Sequence, residues 1–171
     1  TLFDHALAVT TDNAVAHSNL GKAYLERGEI DRALDHGLEV VRIEPNVADG
    51  HFNLGVILEK TGKPQEAAAA YREAVRLAPK LSSAHLNLGI VLAGQGRYPE
   101  AEEQLYEAVR LDPKSSSARN NLGARLAGRG EVDAAIEQFR EAVRLDPGNE
   151  ALRDNLKRAL ELRDRRSAPP L

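Results

Sequence analysis

The sequence predicts an all-α fold, an α-solenoid built from copies of one helix-turn-helix unit. The main observation is a 34-residue period in two residue types along the 171-residue chain. The recurring glycines are Gly21, Gly55, Gly89 and Gly123, and the recurring prolines are Pro45, Pro79, Pro113 and Pro147. A fixed period of this length is typical of stacked supersecondary units rather than of one closed domain. Such stacks offer extended binding surfaces, so the period favours binding over catalysis.

The first half of each unit predicts a helix, here called helix A. A leucine precedes each recurring glycine, and a large apolar residue or tyrosine follows three residues after it, as Leu54 and Leu58 do around Gly55. This i, i+4 spacing places both side chains on one helical face. A second glycine then recurs at Gly28, Gly62, Gly96 and Gly130, where glycine suits a helix C-cap and a tight turn.

The second half of each unit predicts helix B, which ends at the recurring proline. Proline disfavours helical geometry in the residue before it and so stops the helix. Small residues recur within helix B at Ala33, Ala67, Ala101 and Ala135. Because glycine inside a helix costs about 1 kcal/mol relative to alanine, we expect the recurring glycines to let helices A and B approach closely at these alanines.

The composition excludes several classes of function. The net charge is −3, so no basic field attracts nucleic acid. The sequence has no cysteine, which excludes disulfides, thiolate catalysis and cysteine-bound metals. No apolar run reaches the roughly 20 residues of a membrane-spanning helix. The first residue is threonine and no signal peptide is evident, so we expect a segment of a longer protein. We also expect this segment not to insert into a membrane and not to bind a cofactor.

The pattern resembles the tetratricopeptide repeat, in which Leu-Gly, a large apolar residue, Ala, an aromatic residue, Ala and Pro recur. The resemblance implies a right-handed α-solenoid. It places four full repeats at residues 14–47, 48–81, 82–115 and 116–149, after a helix B remnant of a preceding repeat at residues 1–13. Residues 150–166 resemble the capping helix that closes such arrays, and we expect residues 167–171 to be a disordered tail.

One repeat departs from the pattern. The aromatic position of helix B holds Tyr71, Leu105 and Phe139 in the later repeats but Gly37 in the first. The first helix B therefore lacks a large packing residue and contains one that weakens helices. We expect it to open more easily than the other B helices of full repeats, with Val40 filling part of the space.

Asparagine recurs at one position of helix A. This asparagine ladder consists of Asn19, Asn53, Asn87 and Asn121, continued by Asn155 in the capping helix. Asparagine is a poor helix former, and its carboxamide matches the alternating N–H and C=O groups of an extended peptide. The ladder is similar to the one that lines the concave face of O-GlcNAc transferase and holds the backbone of its protein substrate. That resemblance implies a peptide-binding role; the alternative is that each asparagine bonds a neighbouring repeat and sets the superhelical pitch.

Apolar residues accompany the ladder in the middle of the array. They are Phe52, Val56, Leu86 and Ile90, and polar residues such as Lys22 and Asn120 take the matched positions on either side. An apolar patch flanked by amides suits a partner segment with a hydrophobic anchor, although packing between adjacent A helices is an equal alternative. The carboxylate clamp of chaperone-binding tetratricopeptide repeats is not matched, because Ser18, Lys22, Asn53, Ser83 and Asn87 stand at its positions. An acidic C-terminal tail is therefore not the expected partner.

Histidines recur at His17, His51 and His85, and Arg119 breaks the series. Stacked helices lie roughly 10 Å apart, too far for these histidines to share a metal with bonds of about 2.0–2.1 Å. We therefore predict that they pack between helices. No catalytic triad, pair of acids or phosphate loop is recognisable, so we predict no enzymatic activity.

These observations predict a scaffold that binds an extended peptide or partner segment on its concave face. Two alternatives stay open. The helix B remnant lacks its own helix A, so its apolar surface is available for pairing with another copy of the chain. Residues 1–24 are also similar to the junction where polytopic membrane glycosyltransferases pass into a C-terminal tetratricopeptide region. That similarity implies a soluble substrate-binding appendage outside the cytoplasm; otherwise the compartment, cytoplasmic or extracytoplasmic, is undetermined.

Overall fold

A computed structural model describes residues 13–167 of the chain. Every regular element within these residues is an α-helix. The helices are α1 (Ala14–Glu26), α2 (Ile30–Ile43), α3 (Ala48–Lys60), α4 (Pro64–Leu77), α5 (Ser82–Gly94), α6 (Tyr98–Leu111), α7 (Ser116–Arg129), α8 (Val132–Leu145) and α9 (Glu150–Ser167). Helices α1, α3, α5 and α7 are the predicted A helices, α2, α4, α6 and α8 the predicted B helices, and α9 the capping helix. The all-α prediction is confirmed.

The described residues form two compact units, residues 13–91 and residues 92–167, with the boundary inside α5. In the first unit α1 packs against α2, α2 against α3, and α3 against α4. In the second unit α7 packs against both α6 and α8, and α9 packs against α8 and α7. Within each unit, consecutive helices therefore pack in the manner that a two-helix repeat requires.

Side chains and backbone geometry define the helix ends. Asn13 Oδ1 accepts a hydrogen bond from the Ala16 amide (3.0 Å) and caps α1. Asn13 therefore belongs to the first repeat rather than to the predicted helix B remnant, whose other residues lie outside the described part of the chain. Gly130 closes α7 with φ of 91°, a left-handed conformation that glycine adopts without steric cost. The C-cap Ala78 of α4 is extended (φ −132°, ψ 79°), as its position before a proline predicts.

The recurring glycines make room for aromatic rings. A Cβ on Gly55 would lie 2.5 Å from Cε1 of Tyr71, and one on Gly123 would lie 2.9 Å from Cε1 of Phe139. The predicted partner, the alanine of helix B, is thus wrong for the second and fourth repeats, because the nearest atoms belong to the ring four residues later. A Cβ on Gly21 would have the Ala33 carbonyl oxygen as its nearest neighbour, at 3.6 Å, because the first repeat has no ring at that place.

The space beside Gly37 is filled in part from helix α3. A Cβ on Gly37 would lie 2.9 Å from Ile57 Cδ1 and 3.4 Å from Leu54 Cδ1. Val40 is buried and faces Gly50, where an added Cβ would lie 3.0 Å from Val40 Cγ1. Ile57 and Leu54 are therefore the residues nearest to the position of a Gly37 Cβ. Val40 instead packs against Gly50 of helix α3.

The capping helix α9 has one buried side and one exposed side. Leu152 and Ala159 are buried, whereas Lys157 is exposed. Arg166 Nη1 donates to the Gly130 carbonyl (2.8 Å), which ties the end of α9 to the turn after α7. Ser167 is still helical, so the predicted tail begins at least one residue later, and residues 168–171 lie outside the described range. No helix between residues 13 and 167 combines the length and the apolar composition needed to cross a membrane.

Candidate peptide-binding surface

The asparagine ladder is accessible in both units. In the first unit Asn19 lies on α1, Asn53 on α3 and Asn87 on α5; in the second unit Asn121 lies on α7 and Asn155 on α9. Asn19 is exposed and the other four are half-buried. Their side chains are thus neither enclosed in the core nor fully solvated.

The ladder residues differ in their hydrogen bonds. Asn87 Nδ2 donates to the Tyr71 hydroxyl (3.3 Å), and Asn121 Nδ2 donates to the Ser117 carbonyl of its own helix (2.9 Å). Asn155 Nδ2 donates to Asn120 Oδ1 (2.9 Å), which joins α9 to α7. Asn19 and Asn53 make no side-chain hydrogen bond to any residue of the 13–167 range. Asn87 and Asn155 thus bond a neighbouring helix, whereas Asn53 does not bond any residue of the described range.

Tyr71 contacts one ladder residue, Asn87, which the sequence did not indicate. Its side chain is fully buried against Gly55, its hydroxyl donates to the Glu59 carboxylate, and it accepts the Asn87 amide. Burial, followed by the hydrogen bond to Glu59, raises the pKa of Tyr71 above its ordinary value. The hydroxyl therefore stays protonated and orients both polar neighbours. The only sequence signal was its place at the aromatic position of the repeat.

The apolar residues beside the ladder are partly packed and partly exposed. Phe52 lies with its ring centroid 5.8 Å from that of Tyr71, so it packs on the first unit's core. Phe52, Val56 and Leu86 are half-buried, and Ile90 is 37% exposed. This face of the first unit thus combines packed and exposed apolar side chains. Lys22 is exposed at the matched position of α1.

A small cavity lies between α1, α2 and α3. Its volume is about 40 Å³. Residues that line it include Gly21, Lys22, Gly37, Asn53, Val56 and Ile57. The cavity thus brings together two predicted binding residues, Asn53 and Val56, with Lys22 and with the glycine that departs from the repeat pattern.

The recurring histidine position ties helix A to the turn before it. His51 Nε2 lies 2.8 Å from the Pro45 carbonyl oxygen, and His85 Nε2 lies 3.1 Å from that of Pro79. Arg119 Nε donates to the Pro113 carbonyl (2.9 Å). Arg119 therefore continues the series chemically, although the sequence suggested that it broke the series.

His17 makes a different contact, with its Nδ1 2.9 Å from Nδ1 of His36 on α2. The histidine position as a whole therefore serves contacts between helices and turns. Across residues 13–167, no three His, Asp or Glu side chains are grouped as metal ligands.

A second polar cluster, which the sequence did not indicate, lies in the second unit between α6 and α7. The Arg125 guanidinium carbon is 3.9 Å from the centroid of the Tyr98 ring. Glu102 is buried and accepts a hydrogen bond from Arg129 Nη1 (2.8 Å). Arg129 also pairs with Glu131 (2.5 Å). These contacts join the start of helix B in one repeat to the end of helix A in the next.

Comparison with protein families identifies the repeat. The sequence profile of the tetratricopeptide repeat matches residues 19–82, 52–116 and 86–150. The chain belongs to the tetratricopeptide repeat family. The profile matches follow one another along the chain at about the spacing of the recurring glycines. Comparison with curated protein sequences gives no match.

Solved tetratricopeptide structures share the fold. YrrB, described as a tetratricopeptide protein with an unusual peptide-binding site, is 25% identical, covers 95% of this chain and 80% of its own, and has a TM-score of 0.76. PilF of Pseudomonas aeruginosa is 28% identical over 89% of this chain and 69% of its own, with a TM-score of 0.79. MamA of Desulfovibrio magneticus RS-1 is 26% identical over 86% of this chain and 89% of its own, with a TM-score of 0.75. The all-α tetratricopeptide solenoid is therefore confirmed, and the narrower likeness to O-GlcNAc transferase stays a prediction.

Proposed function

We propose that this tetratricopeptide chain is a protein-interaction module that binds an extended peptide across its A helices. The observation that supports this most strongly is Asn53. Its carboxamide is half-exposed, bonds to none of the residues in the described range, and lies on the same helix, α3, as the half-buried apolar side chains of Phe52 and Val56. A donor and an acceptor side by side, flanked by apolar surface, match a peptide backbone and one apolar side chain.

The other ladder positions offer similar groups, Asn19 and Asn87 in the first unit and Asn121 in the second. Asn19 is exposed on α1 and bonds to no described side chain or backbone group. Asn87 and Asn121 each donate one amide hydrogen bond, which leaves their second N–H and their carbonyl oxygen for a peptide backbone. YrrB, a relative at 25% identity, is described as having a peptide-binding site, which supports the same class of ligand here. Leu86 and Ile90 extend the apolar surface on α5.

Selection from a random peptide library, followed by substitution of Asn53, tests this function. We expect the library to yield peptides that bind, and Asn53→Ala to weaken a recovered peptide by about two- to tenfold, the value of one hydrogen bond. Asn46→Ala is the matched control, because Asn46 is an exposed asparagine in the turn between α2 and α3. Fluorescence polarisation measures the affinity, and circular dichroism checks that helicity is unchanged.

Two outcomes with the asparagine variants would contradict the proposal. One is equal affinity for Asn53→Ala and for the Asn46→Ala control. The other is unfolding of the array when Asn53, Asn87 and Asn121 are all changed to alanine, because that would assign the ladder to the fold. Failure to recover any binding peptide would also count against the proposal.

The alternatives from the sequence stay predictions. Self-assembly through the N-terminal helix would give a mass that rises with concentration in light scattering, whereas a peptide-binding monomer would not. Attachment to a membrane glycosyltransferase would place several membrane-spanning segments upstream of residue 1 in the gene. No contact among residues 13–167 favours either of them over peptide binding.

A further inference from the structure

The cavity of the first unit is the place that an aromatic ring occupies in the next repeat. The Tyr71 ring stands against Gly55, and its hydroxyl reaches Glu59 and Asn87. One period earlier along the chain, these three contact positions hold Gly21, Leu25 and Asn53, and all three line the cavity. Gly37, at the position of Tyr71, lines it as well. The cavity therefore exists because the first repeat lacks the ring.

The cavity is smaller than the ring that it replaces. Ile57 Cδ1 approaches to 2.9 Å from where a Gly37 Cβ would be, so part of the ring position is already filled. The remaining volume of about 40 Å³ suits a short aliphatic group. Its walls are mostly apolar, because Leu25 replaces Glu59 and because Val40 and Val56 contribute further sides.

Asn53 and Lys22, two of the polar residues that line the cavity, indicate what its occupant is attached to. The Asn53 carboxamide has no partner between residues 13 and 167, although the equivalent Asn87 bonds Tyr71. Lys22 is exposed and forms no ion pair with a described residue. No acidic side chain lines the cavity. A ligand that complements this set has a backbone amide for Asn53 and a negative charge for Lys22.

We propose that the cavity receives a short aliphatic side chain, valine in size, of an extended peptide that binds Asn53 through its backbone. A carboxylate of the same peptide, next to the aliphatic residue, pairs with Lys22. This proposal rests on the proposed function and adds a sequence preference to it. Peptides recovered from the library should share valine or another small aliphatic residue beside Asp or Glu.

The first test compares two forms of one recovered peptide, with valine or glycine at the aliphatic position. Burying a valine side chain is expected to strengthen binding about tenfold or more. The same pair is then measured on the double variant Gly37→Leu with Ile57→Val. That variant introduces the residues found at these positions in other repeats, Leu105 and Val91, and fills the cavity with the protein's own side chain. On it, the preference for valine should disappear.

Lys22→Gln tests the charged contact separately. We expect it to weaken a peptide with Asp or Glu beside the valine, and to leave the same peptide with Asn or Gln there unchanged. Lys60→Gln is the matched control, because Lys60 is an exposed lysine at the end of α3, and Lys60 does not line the cavity. Equal losses for both lysine variants would overturn the Lys22 contact and indicate general charge attraction.

The outcomes separate this proposal from the proposed function. If Asn53→Ala weakens both peptides but the filled variant keeps its preference for valine, peptide binding stands and the cavity assignment is overturned. If the wild-type protein binds the valine and glycine peptides equally, the assignment is overturned even when the double variant fails to fold. A filled variant that loses self-association instead of peptide affinity would identify a second copy as the occupant, which also overturns the proposal.

Discussion

Two glycine-to-alanine substitutions at equivalent positions are expected to act in opposite directions. In Gly55→Ala the new Cβ would lie 2.5, 2.7 and 2.9 Å from three atoms of the Tyr71 ring. In Gly21→Ala the nearest atom is 3.6 Å away, an ordinary van der Waals distance. Both changes gain about 1 kcal/mol of helix propensity. Only the first one displaces a buried side chain.

The size of the expected stability change depends on the contacts that the Tyr71 ring would lose. Overpacking in a core costs about 1–3 kcal/mol. Moving the ring also disturbs its hydrogen bonds to Glu59 and Asn87, each of which contributes about 0.5–1.5 kcal/mol. Gly55→Ala should therefore lower the free energy of unfolding by about 2 kcal/mol after the helix gain is subtracted. Gly21→Ala should raise it by about 0.5–1 kcal/mol.

Thermal unfolding and hydrogen exchange measure both effects. For a chain of this size, 1 kcal/mol shifts Tm by about 2–4 °C. Because repeat arrays unfold in parts, amide exchange in α1 and α2 against α3 and α4 assigns each change to its repeat. Gly55→Ala should cost less when Tyr71 is changed to leucine, the residue that the third repeat has. Shifts of equal sign and size for the two alanine variants would refute the ring-contact explanation.

Three further predictions concern stability. Arg119→His should retain the bond to the Pro113 carbonyl that Arg119→Ala loses, so urea denaturation should find the alanine variant less stable by about 1 kcal/mol. Arg129→Ala leaves Glu102 buried without its partner and should lower the free energy of unfolding by about 1–3 kcal/mol. Glu102→Ala leaves an exposed arginine that still pairs with Glu131, so calorimetry should show a smaller loss of stability. Helix α2 should exchange its amide protons faster than α6, because Gly37 weakens it, and equal protection would contradict that reason.

The helices themselves were predictable because their signals are local. The recurring prolines end the B helices, and Gly130 takes the left-handed conformation expected of a C-cap. Both effects depend on the backbone conformation of one or two residues, and the residue type alone predicts that conformation. The last helix of the described range spans Glu150–Ser167.

The reason for the recurring glycines was not predictable to the same degree. The sequence shows that a small residue is needed, but both Ala67 and Tyr71 lie on the facing helix, and the choice between them depends on the packing angle. In the same way, Arg119 looked unlike His51 and His85 until the distance to the preceding carbonyl was known. Chemical equivalence between unlike residues appears only when both share a partner in space.

The hydrogen-bond partners of the ladder asparagines were also not predictable from the sequence. Five asparagines at one position look identical in sequence, yet their partners are a tyrosine hydroxyl, a backbone carbonyl, another asparagine or no group of the described chain. These partners are set by the residues of adjacent helices, which vary from repeat to repeat. The absence of a ring at Gly37 was visible in the sequence, but the cavity also depends on how far Ile57 reaches.

The contact between Val40 and Gly50 bears on how this array can be inherited and redesigned. A large residue on helix B is matched by the smallest one on the following helix A, and the recurring proline lies between them. Recombination at that proline would separate Val40 from Gly50. A new helix A with any residue other than glycine at the Gly50 position would then place a Cβ too close to Val40. The compatible evolutionary module therefore runs from the middle of one repeat to the middle of the next. Consensus engineering of this protein should exchange both residues together.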